Sequence, residues 1–340
     1  MARSAVVGGL LASPEPSVRW KTRIGVLGES ETSARILALQ EEVRDSPRVR
    51  ALLQRRGQLG RPSTARGVYY KWQGAHWALA RLADLGYPPG DPSLFPLRDR
   101  VLELWLRTGY YREFETATKS GAYRKFGVPR IDGRYRRCAS QQGNALYYLT
   151  KLGLDDGRCE NLAERLIHWQ WPDGGWNCDR NPSADTSSFL ETLLPMLGLA
   201  VHGERSRSRS ERESARRASE VFLRRRLFKR ISTAEVIDRT FVRLHYPTYY
   251  HYDILAGLRG MAEVGRIRDR RCEDALDLLE NKRLPDGGWP AEAKFYRFSP
   301  GRFAAGSEFV DWGGTSSRRS NPWVTVEALS ILTAAGRFAA

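Results

Sequence analysis

The chain has 340 residues, 41% hydrophobic and 28% charged, and a formal net charge of +16 at pH 7 that comes almost entirely from arginine. Because these arginines are spread along the chain, the sequence favours a solvated basic surface and disfavours a nucleic-acid site, while a phosphate or an anionic membrane stays open as a partner. No stretch approaches the roughly 18 apolar residues of a membrane span, and the length is ample to bury one large core or two smaller ones.

Two N-terminal helices are predicted within residues 1–60, ahead of a main domain at 61–340 that they pack on or complete. They span Ser17 to Leu27 and Ser33 to Arg56, and Pro16 and Pro47 are their starts or breaks. The later run Arg205 to Arg217 alternates Arg with Ser and Glu, which is typical of a loop followed by an exposed helix.

Two kinds of helix alternate through the main domain. Segments rich in apolar, small and aromatic residues, as expected of helices buried on both sides, are Gln73 to Leu85, Ser140 to Leu152, Ser187 to Leu199, Tyr249 to Met261 and Val324 to Ala334. Segments with one charged face are Leu97 to Leu106, Asn161 to Trp169, Arg212 to Leu227 and Glu273 to Lys282.

One unit of sequence occurs twice. Residues Arg158 to Trp176 read RCENLAERLIHWQWPDGGW, and Arg271 to Trp289 read RCEDALDLLENKRLPDGGW. Each copy is a helix that a proline ends, followed by a glycine turn and a tryptophan that returns to the core. Cys159 and Cys272 hold the same place in the two copies, so we expect them to be packing residues. A repeat of this period predicts similar units stacked side by side.

The PDGGW turn, followed by a polar loop and an apolar helix such as SSFLETLLPMLGLA, resembles the repeat of the squalene cyclases and protein prenyltransferase β subunits. Weaker units extend the resemblance from about Gly67 to Gly336. It implies an all-α fold, an α/α toroid of about six inner and five to six outer helices. The polar loops that precede the inner helices would then emerge on one rim, where their residues converge on a central cavity.

Side chains of the zinc-ligand type lie on these loops. Cys178, Asp185 and His251 are the leading candidates, and Cys138 and His245 are further ones, because thiolate, carboxylate and imidazole are the ligands of zinc. No pair of them has a diagnostic spacing. The alternative is therefore a set of small buried thiols and hydrogen-bonded histidines.

The resemblance to the prenyltransferases gives two of these residues a role. Their zinc-binding aspartate, which follows the Gly-Gly-aromatic turn, falls on Asp185, and their zinc-binding histidine, in a Tyr-His pair, falls on His251. Their cysteine falls on Ser187, so a thiolate would have to come from Cys178 or Cys138.

The class II terpene cyclases resemble the chain at the same helix start. Their DxDD-T motif, whose middle aspartate protonates an alkene or epoxide, falls on the segment PSADT, where Ala184 takes the place of the proton donor and Asp185 remains. Protonating an alkene needs a carboxylic acid that its surroundings keep neutral. Asp185 and the other rim acids Asp132, Asp253 and Asp311 are the candidates.

Aromatic and polar residues near the inner-helix starts are the candidates for binding substrate or assisting catalysis. They are His76, Trp77, Gln142, Tyr249, Tyr250 and Trp312. Aromatic faces stabilise a cation by roughly 0.5 to 2 kcal/mol, and core packing is the alternative role. Arg318 and Arg319 either bind an anionic group or belong to an ordinary basic loop.

Three functions follow as hypotheses. The first is an enzyme acting on an isoprenoid or similar hydrophobic substrate, with Asp185 as acid or metal ligand and His251 as ligand or base. The second is a zinc-dependent hydrolase or lyase, and the third is a non-catalytic binding toroid. The expected cofactor, if any, is zinc, and the expected partner is a small hydrophobic or anionic substrate. Scattered cysteines and an apolar N-terminal stretch too short for a signal peptide predict a cytoplasmic protein, with peripheral membrane contact left open.

Overall fold

The computed structural model describes residues 2–54 and 65–339, and these ranges are mostly helical, which confirms the all-α class. Among the described residues, no helix is long and apolar enough to cross a membrane. The predicted end of the second N-terminal helix, Arg56, lies outside the described residues.

The N-terminal segment forms short helices separated at prolines and polar caps. They are α1 (Ala2–Leu11), α2 (Pro16–Lys21), α3 (Ala34–Arg44) and α4 (Pro47–Leu53). A π-helical turn over Thr22–Val26 continues α2. The long helix predicted from Ser33 is divided because Ser46 accepts a hydrogen bond from the backbone N–H of Val49 and starts a new helix at Pro47.

The main domain contains the two predicted kinds of helix. The largely buried ones are α6 (Ala75–Leu85), α9 (Ala139–Lys151), α11 (Phe189–Arg205), α13 (Ile254–Glu263) and α15 (Pro322–Ala334). The amphipathic ones are α7 (Phe95–Trp105), α10 (Gly157–His168), α12 (Arg209–Leu223) and α14 (Glu273–Asn281), and two further short helices are α5 (Ala65–Val68) and α8 (Lys119–Arg124).

Helix α13 begins later than its apolar pattern predicts. Asp253 accepts a hydrogen bond from the backbone N–H of Ala256 and so caps the helix just before Ile254. The residues from Tyr249 to His251, predicted to open this helix, therefore lie in the loop ahead of it.

The two PDGGW turns have the same hydrogen bonds, which shows that the sequence repeat is a structural one. The Trp176 indole donates to the carbonyl of Leu166 (2.9 Å), and the Trp289 indole donates to the carbonyl of Leu279 (2.7 Å). The backbone N–H of each tryptophan donates to a threonine hydroxyl on the next buried helix, Thr192 on α11 or Thr325 on α15. Each turn thus fixes an amphipathic helix to the following buried helix.

Neighbouring buried helices contact one another in sequence order. α2 contacts α6, α6 contacts α9, α9 contacts α11, α11 contacts α13, α13 contacts α15, and α15 contacts α2 again. Each of the amphipathic helices contacts the buried helix that precedes or follows it: α7 contacts α6, α10 contacts α9, α12 contacts α11 and α14 contacts α13.

A cluster of half-buried charges joins the first and last members of that series. Lys21 of α2 lies 3.1 Å from Asp84 of α6 and 2.5 Å from Glu327 of α15, and Arg259 of α13 lies 3.2 Å from Asp84. Burial opposes the charge on Lys21, but the two carboxylates outweigh it and raise the pKa of its ammonium group. Four helices therefore meet at one ionic cluster.

Several arginines form ion pairs between different amphipathic helices. Arg158, at the start of α10, lies 2.6 Å from Asp99 of α7. Its equivalent in the second repeat copy, Arg271, lies 2.7 Å from Glu220 of α12. Part of the arginine excess therefore contributes to packing between repeats.

Short strands in two loops were not predicted. β1 (Glu113–Glu115) pairs in parallel with β2 (Val128–Ile131), which pairs antiparallel with β3 (Arg134–Tyr135), and β4 (Arg297–Phe298) pairs in parallel with β5 (Ser307–Glu308). They are too short to show an alternating apolar pattern. They order the long loops that lead into α9 and α15.

Candidate functional site

Two thiols and a carboxylate meet where α9 and α11 begin. Cys138 is the residue that precedes α9, Cys178 follows the first PDGGW turn, and Glu191 lies in the first turn of α11. Their ligand atoms all lie within 4.8 Å of one another, and all three side chains are half-buried. These three residues are termed the thiol cluster.

Glu191 holds the thiol cluster together. One carboxylate oxygen accepts a hydrogen bond from the Cys178 thiol at 3.3 Å, and the other accepts one from the backbone N–H of Ser140 at 3.0 Å. The second bond caps the N-terminus of α9, where a negative charge is favourable. The carboxylate therefore has a structural role as well as the chemistry of a metal ligand.

Burial and the contacts between the members of the thiol cluster shift the pKa of each member. Burial raises the pKa of the Glu191 carboxyl. The hydrogen bond between the two thiols lowers the pKa of Cys138 and raises that of Cys178. One thiol is thus set up to ionise before the other.

Arg137 lies beside the thiol cluster and is 9% exposed. Its guanidinium group lies 4.8 Å from the ring centre of Tyr110, and its charge favours the thiolate of Cys138. Gln142, predicted to bind substrate, is buried here. With its amide oriented to satisfy both neighbours, it accepts from Arg137 at 2.6 Å and donates to the carbonyl of Cys138 at 3.0 Å.

A second group of titratable side chains lies in the loop before α13. His245 Nδ1 is 2.8 Å from a carboxylate oxygen of Asp253, and both side chains are 1% exposed. The His251 ring meets the His245 ring edge to face at 6.1 Å and stacks on Phe295 at 3.8 Å. His245, His251 and Asp253 are termed the histidine cluster.

Both histidines keep one unused nitrogen. Nε2 of His245 and Nδ1 of His251 are buried and have no hydrogen-bond partner among the described residues. Burial disfavours protonation of His245, but the Asp253 carboxylate outweighs it and raises the pKa of that imidazole. Burial and the neighbouring His245 lower the pKa of His251 to about 4. The cluster therefore pairs a histidine whose protonated form is favoured with one whose protonated form is disfavoured.

Tyr250 and Lys71 flank the histidine cluster. Lys71 Nζ donates to the Tyr250 hydroxyl at 2.7 Å, and the Tyr250 ring stacks on His251 at 4.5 Å. Predicted catalytic residues Tyr250, His251 and Asp253 are therefore brought together, and Lys71 is an addition.

Tyr69 is near members or neighbours of both clusters. This half-buried side chain interacts electrostatically with Glu191, Cys138 and Tyr250, and burial raises the pKa of its phenol. Because Tyr250 stacks on His251, one tyrosine is within electrostatic range of the thiol cluster and of a residue that contacts the histidine cluster.

Several residues predicted to contact substrate are enclosed in the core. His76 is fully buried and hydrogen-bonds to Asn144, Tyr148 and Trp105 at 3.2, 3.1 and 3.4 Å, and burial lowers its pKa to about 3. Trp77 and Trp312 are each 1% exposed, and Tyr249 is 2% exposed and stacks on Trp72 at 3.9 Å. These contacts are those of core packing.

Three predicted site residues lie at the surface. Asp185 is exposed in the loop between Cys178 and α11, and it is not a member of the thiol cluster. Arg318 and Arg319 are exposed in a turn where both backbone N–H groups donate to the hydroxyl of Ser316.

Sequence reasoning missed the half-buried Glu191 and the fully buried Glu308. Glu308 on β5 is fully buried, accepts from the Tyr249 hydroxyl at 2.9 Å, and has its pKa raised to about 7 by burial. A carboxylate in the first turn of an otherwise apolar helix was the signal available for Glu191. For Glu308, no pattern in the sequence singles out that acid.

Comparison of the chain with known protein families finds none that matches, and comparison with curated proteins finds no relative.

Proposed function

We propose that the protein is a zinc-dependent enzyme built on an α/α toroid, acting on an isoprenoid or similarly hydrophobic substrate between the thiol cluster and the histidine cluster. The observation that carries the proposal is the convergence of Cys138, Cys178 and Glu191 at the starts of α9 and α11.

The toroid is supported by the contacts of the buried helices. Their series returns to its starting point because α15 contacts α2 and α2 contacts α6. The ionic cluster of Lys21, Asp84, Arg259 and Glu327 joins four of these helices, α2, α6, α13 and α15. In this arrangement the N-terminal helices complete the inner ring, and the repeat turns connect the outer ring to it.

The donor set suits zinc. Two thiolates and one carboxylate are ligands that zinc prefers, and a fourth position stays available in such a site, as in catalytic zinc centres. Ligand atoms within 4.8 Å of one another are close enough to share one ion after small side-chain adjustments, because zinc–sulfur and zinc–oxygen bonds are roughly 2.0 to 2.3 Å long. The charge of Arg137 favours the ionised thiol of Cys138.

Bound at the thiol cluster, zinc would supply Lewis-acid activation of a substrate thiol or water. The chain's own residues would bind the substrate and transfer protons. Tyr69, Tyr250 and His251 are half-buried rings that can contact an apolar substrate, and Lys71 beside Tyr250 can hold an anionic group. His245, oriented by Asp253, has an unused Nε2 suited to move a proton.

The proposal is tested with zinc-loaded protein and farnesyl diphosphate, geranylgeranyl diphosphate or squalene, followed by product analysis. A new product is expected, and the Cys138→Ser/Cys178→Ser double variant should lose it. Asp185→Asn is the matched control on the same loop and should keep it. Absence of product from all three substrates would contradict the isoprenoid part of the proposal, and a zinc-dependent hydrolysis of ester probes would favour the hydrolase.

A non-catalytic binding toroid is the second candidate, and the filled core favours it. His76, Trp77 and Tyr249 are at most 2% exposed. His76 is hydrogen-bonded to its neighbours, and Tyr249 is stacked on Trp72, so these side chains fill the core. A protein that binds no zinc and converts none of these substrates would leave this candidate as the better one.

A further inference from the structure

Two large aromatic side chains project from the segment that contains α8. Tyr123 and Phe126 are each 65% exposed, whereas tryptophans such as Trp77 and Trp289 are at most 1% exposed. Exposed apolar side chains that lie together and are surrounded by polar residues can mark an interaction surface. Residues 119–126 are termed the docking segment.

The docking segment is held in place from beneath. Ala122 is fully buried, and the hydroxyl of Thr118 caps α8 by accepting from the backbone N–H of Gly121 at 3.1 Å. The ring of Phe126 meets the ring of Tyr110 edge to face at 5.1 Å, and the Arg180 guanidinium lies 4.5 Å from the ring centre of Tyr123. One face of each aromatic ring is therefore packed while the other stays open to solvent.

The charges of the docking segment are all positive. Lys119, Arg124 and Lys125 are exposed, and none of them forms an ion pair with a described carboxylate. The acids on the adjacent strand β1 are already engaged, since Glu113 lies 3.0 Å from His168 and Glu115 lies 2.8 Å from Arg130. The segment thus combines exposed aromatic rings with unneutralised cations.

We propose that the docking segment binds the surface of an anionic lipid bilayer, with Tyr123 and Phe126 inserted at the headgroup level. Aromatic rings prefer the boundary between headgroups and acyl chains, and lysine and arginine beside them are attracted to anionic lipids. Charge alone would suit a nucleic acid equally well, but two outward-facing rings on one short segment suit a bilayer.

The docking segment lies next to the loop that carries Cys178. Arg180 donates from Nη1 to the carbonyl of Ala122 at 2.6 Å, and Arg180 is two residues from Cys178 of the thiol cluster. Docking would therefore place the loop of Cys178 against the bilayer, where a hydrophobic substrate is dissolved. Only this consequence rests on the proposed function, because membrane binding itself needs no catalysis.

The test is sedimentation of the full chain with vesicles of phosphatidylcholine alone and of phosphatidylcholine mixed with phosphatidylglycerol. The wild-type chain should bind the anionic vesicles and lose affinity as salt is raised. Tyr123→Ser/Phe126→Ser should weaken that binding by about tenfold or more, and Lys119→Glu/Lys125→Glu by a similar factor. Ile231→Ser/Val236→Ser is the matched control, since it removes exposed apolar side chains that are 67% and 40% exposed at another place.

Circular dichroism and thermal unfolding should be unchanged in all three variants, because the substituted side chains are exposed. Wild-type protein that binds neither kind of vesicle would overturn the proposal. So would binding that falls in the charge variant but is untouched in the aromatic variant, which would be simple electrostatic adsorption of the kind a nucleic acid also shows. Loss of binding in the Ile231→Ser/Val236→Ser control would assign the surface elsewhere and overturn it as well.

Discussion

The Cys178 thiol donates a hydrogen bond to Glu191 across 3.3 Å, and this contact connects the loop after the first PDGGW turn with the first turn of α11. The same carboxylate caps α9 by accepting from the backbone N–H of Ser140. One acidic side chain therefore fixes the relative positions of both cysteines.

Replacing Gly175 by alanine should destabilise the fold. A Cβ at this position would lie 2.5 Å from the Thr192 hydroxyl oxygen and 2.7 Å from Cβ of Ser187, so the turn and α11 would have to move apart. We expect a loss of roughly 2 to 3 kcal/mol in the free energy of unfolding, measured by urea denaturation. Gly157→Ala is the matched control, because nothing lies within 4 Å of its Cβ, and it should raise stability by about 0.5 kcal/mol. Equal effects of the two substitutions would contradict this description of the turn.

Substitutions of Asp253 should separate its role as a helix cap from its role beside His245. Asp253→Asn keeps an oxygen for the Ala256 N–H but removes the charge, so the pKa of His245 should fall, as followed by NMR titration. Asp253→Ala removes both the cap and the charge, so it should lower the free energy of unfolding by about 1 kcal/mol more than Asp253→Asn does.

The pH dependence of this effect has a definite sign. The raised pKa of His245 means that its interaction with Asp253 stabilises the fold fully below the ordinary histidine pKa of about 6.5. That contribution is lost as pH rises through the pKa of the folded state. The stability difference between the wild-type chain and Asp253→Asn should therefore shrink toward high pH, and a difference that grows with pH would be the contrary result.

Glu308 should make the wild-type fold less stable as pH rises. Burial raises its pKa from 4.5 to about 7, so the folded state favours the protonated acid. The stabilisation is present below about pH 4.5 and is lost as pH rises through 7, a change of about 3 kcal/mol for a shift of this size.

Glu308→Gln is the matched variant, because its amide cannot ionise. Unfolding free energies measured for both proteins from pH 4 to 8 should therefore differ increasingly in favour of the variant, by about 3 kcal/mol in total. Parallel pH profiles for the two proteins would show that Glu308 ionises freely in the fold.

The helices could be predicted from the sequence because their signals are local. The repeat, the proline stops and the apolar or one-faced patterns placed α6, α7 and α9 to α15 close to where they lie. The largest difference is the start of α13, which was predicted at Tyr249. The helix begins at Ile254 because the Asp253 side chain caps it there, within the apolar segment.

The membership of the site could be predicted only in part, because it depends on packing between distant segments. Cys138 and Cys178 were recognised by residue type, but their partner Glu191 follows from the contact of α9 with α11. His76 has the residue type of a site histidine, yet three side chains from other segments satisfy it. Residue type suggests candidates, and tertiary contacts decide which of them are available.

The most direct test of the zinc proposal is the metal content of the purified chain after equilibration with zinc and removal of excess metal. The wild-type protein should retain about one zinc per chain, and Cys138→Ser and Glu191→Gln should each lose it. Asp185→Asn and His251→Gln should retain it, because neither residue belongs to the thiol cluster. A wild-type chain without zinc, or zinc that is lost with Asp185 or His251 and kept without Glu191, would contradict the proposed site.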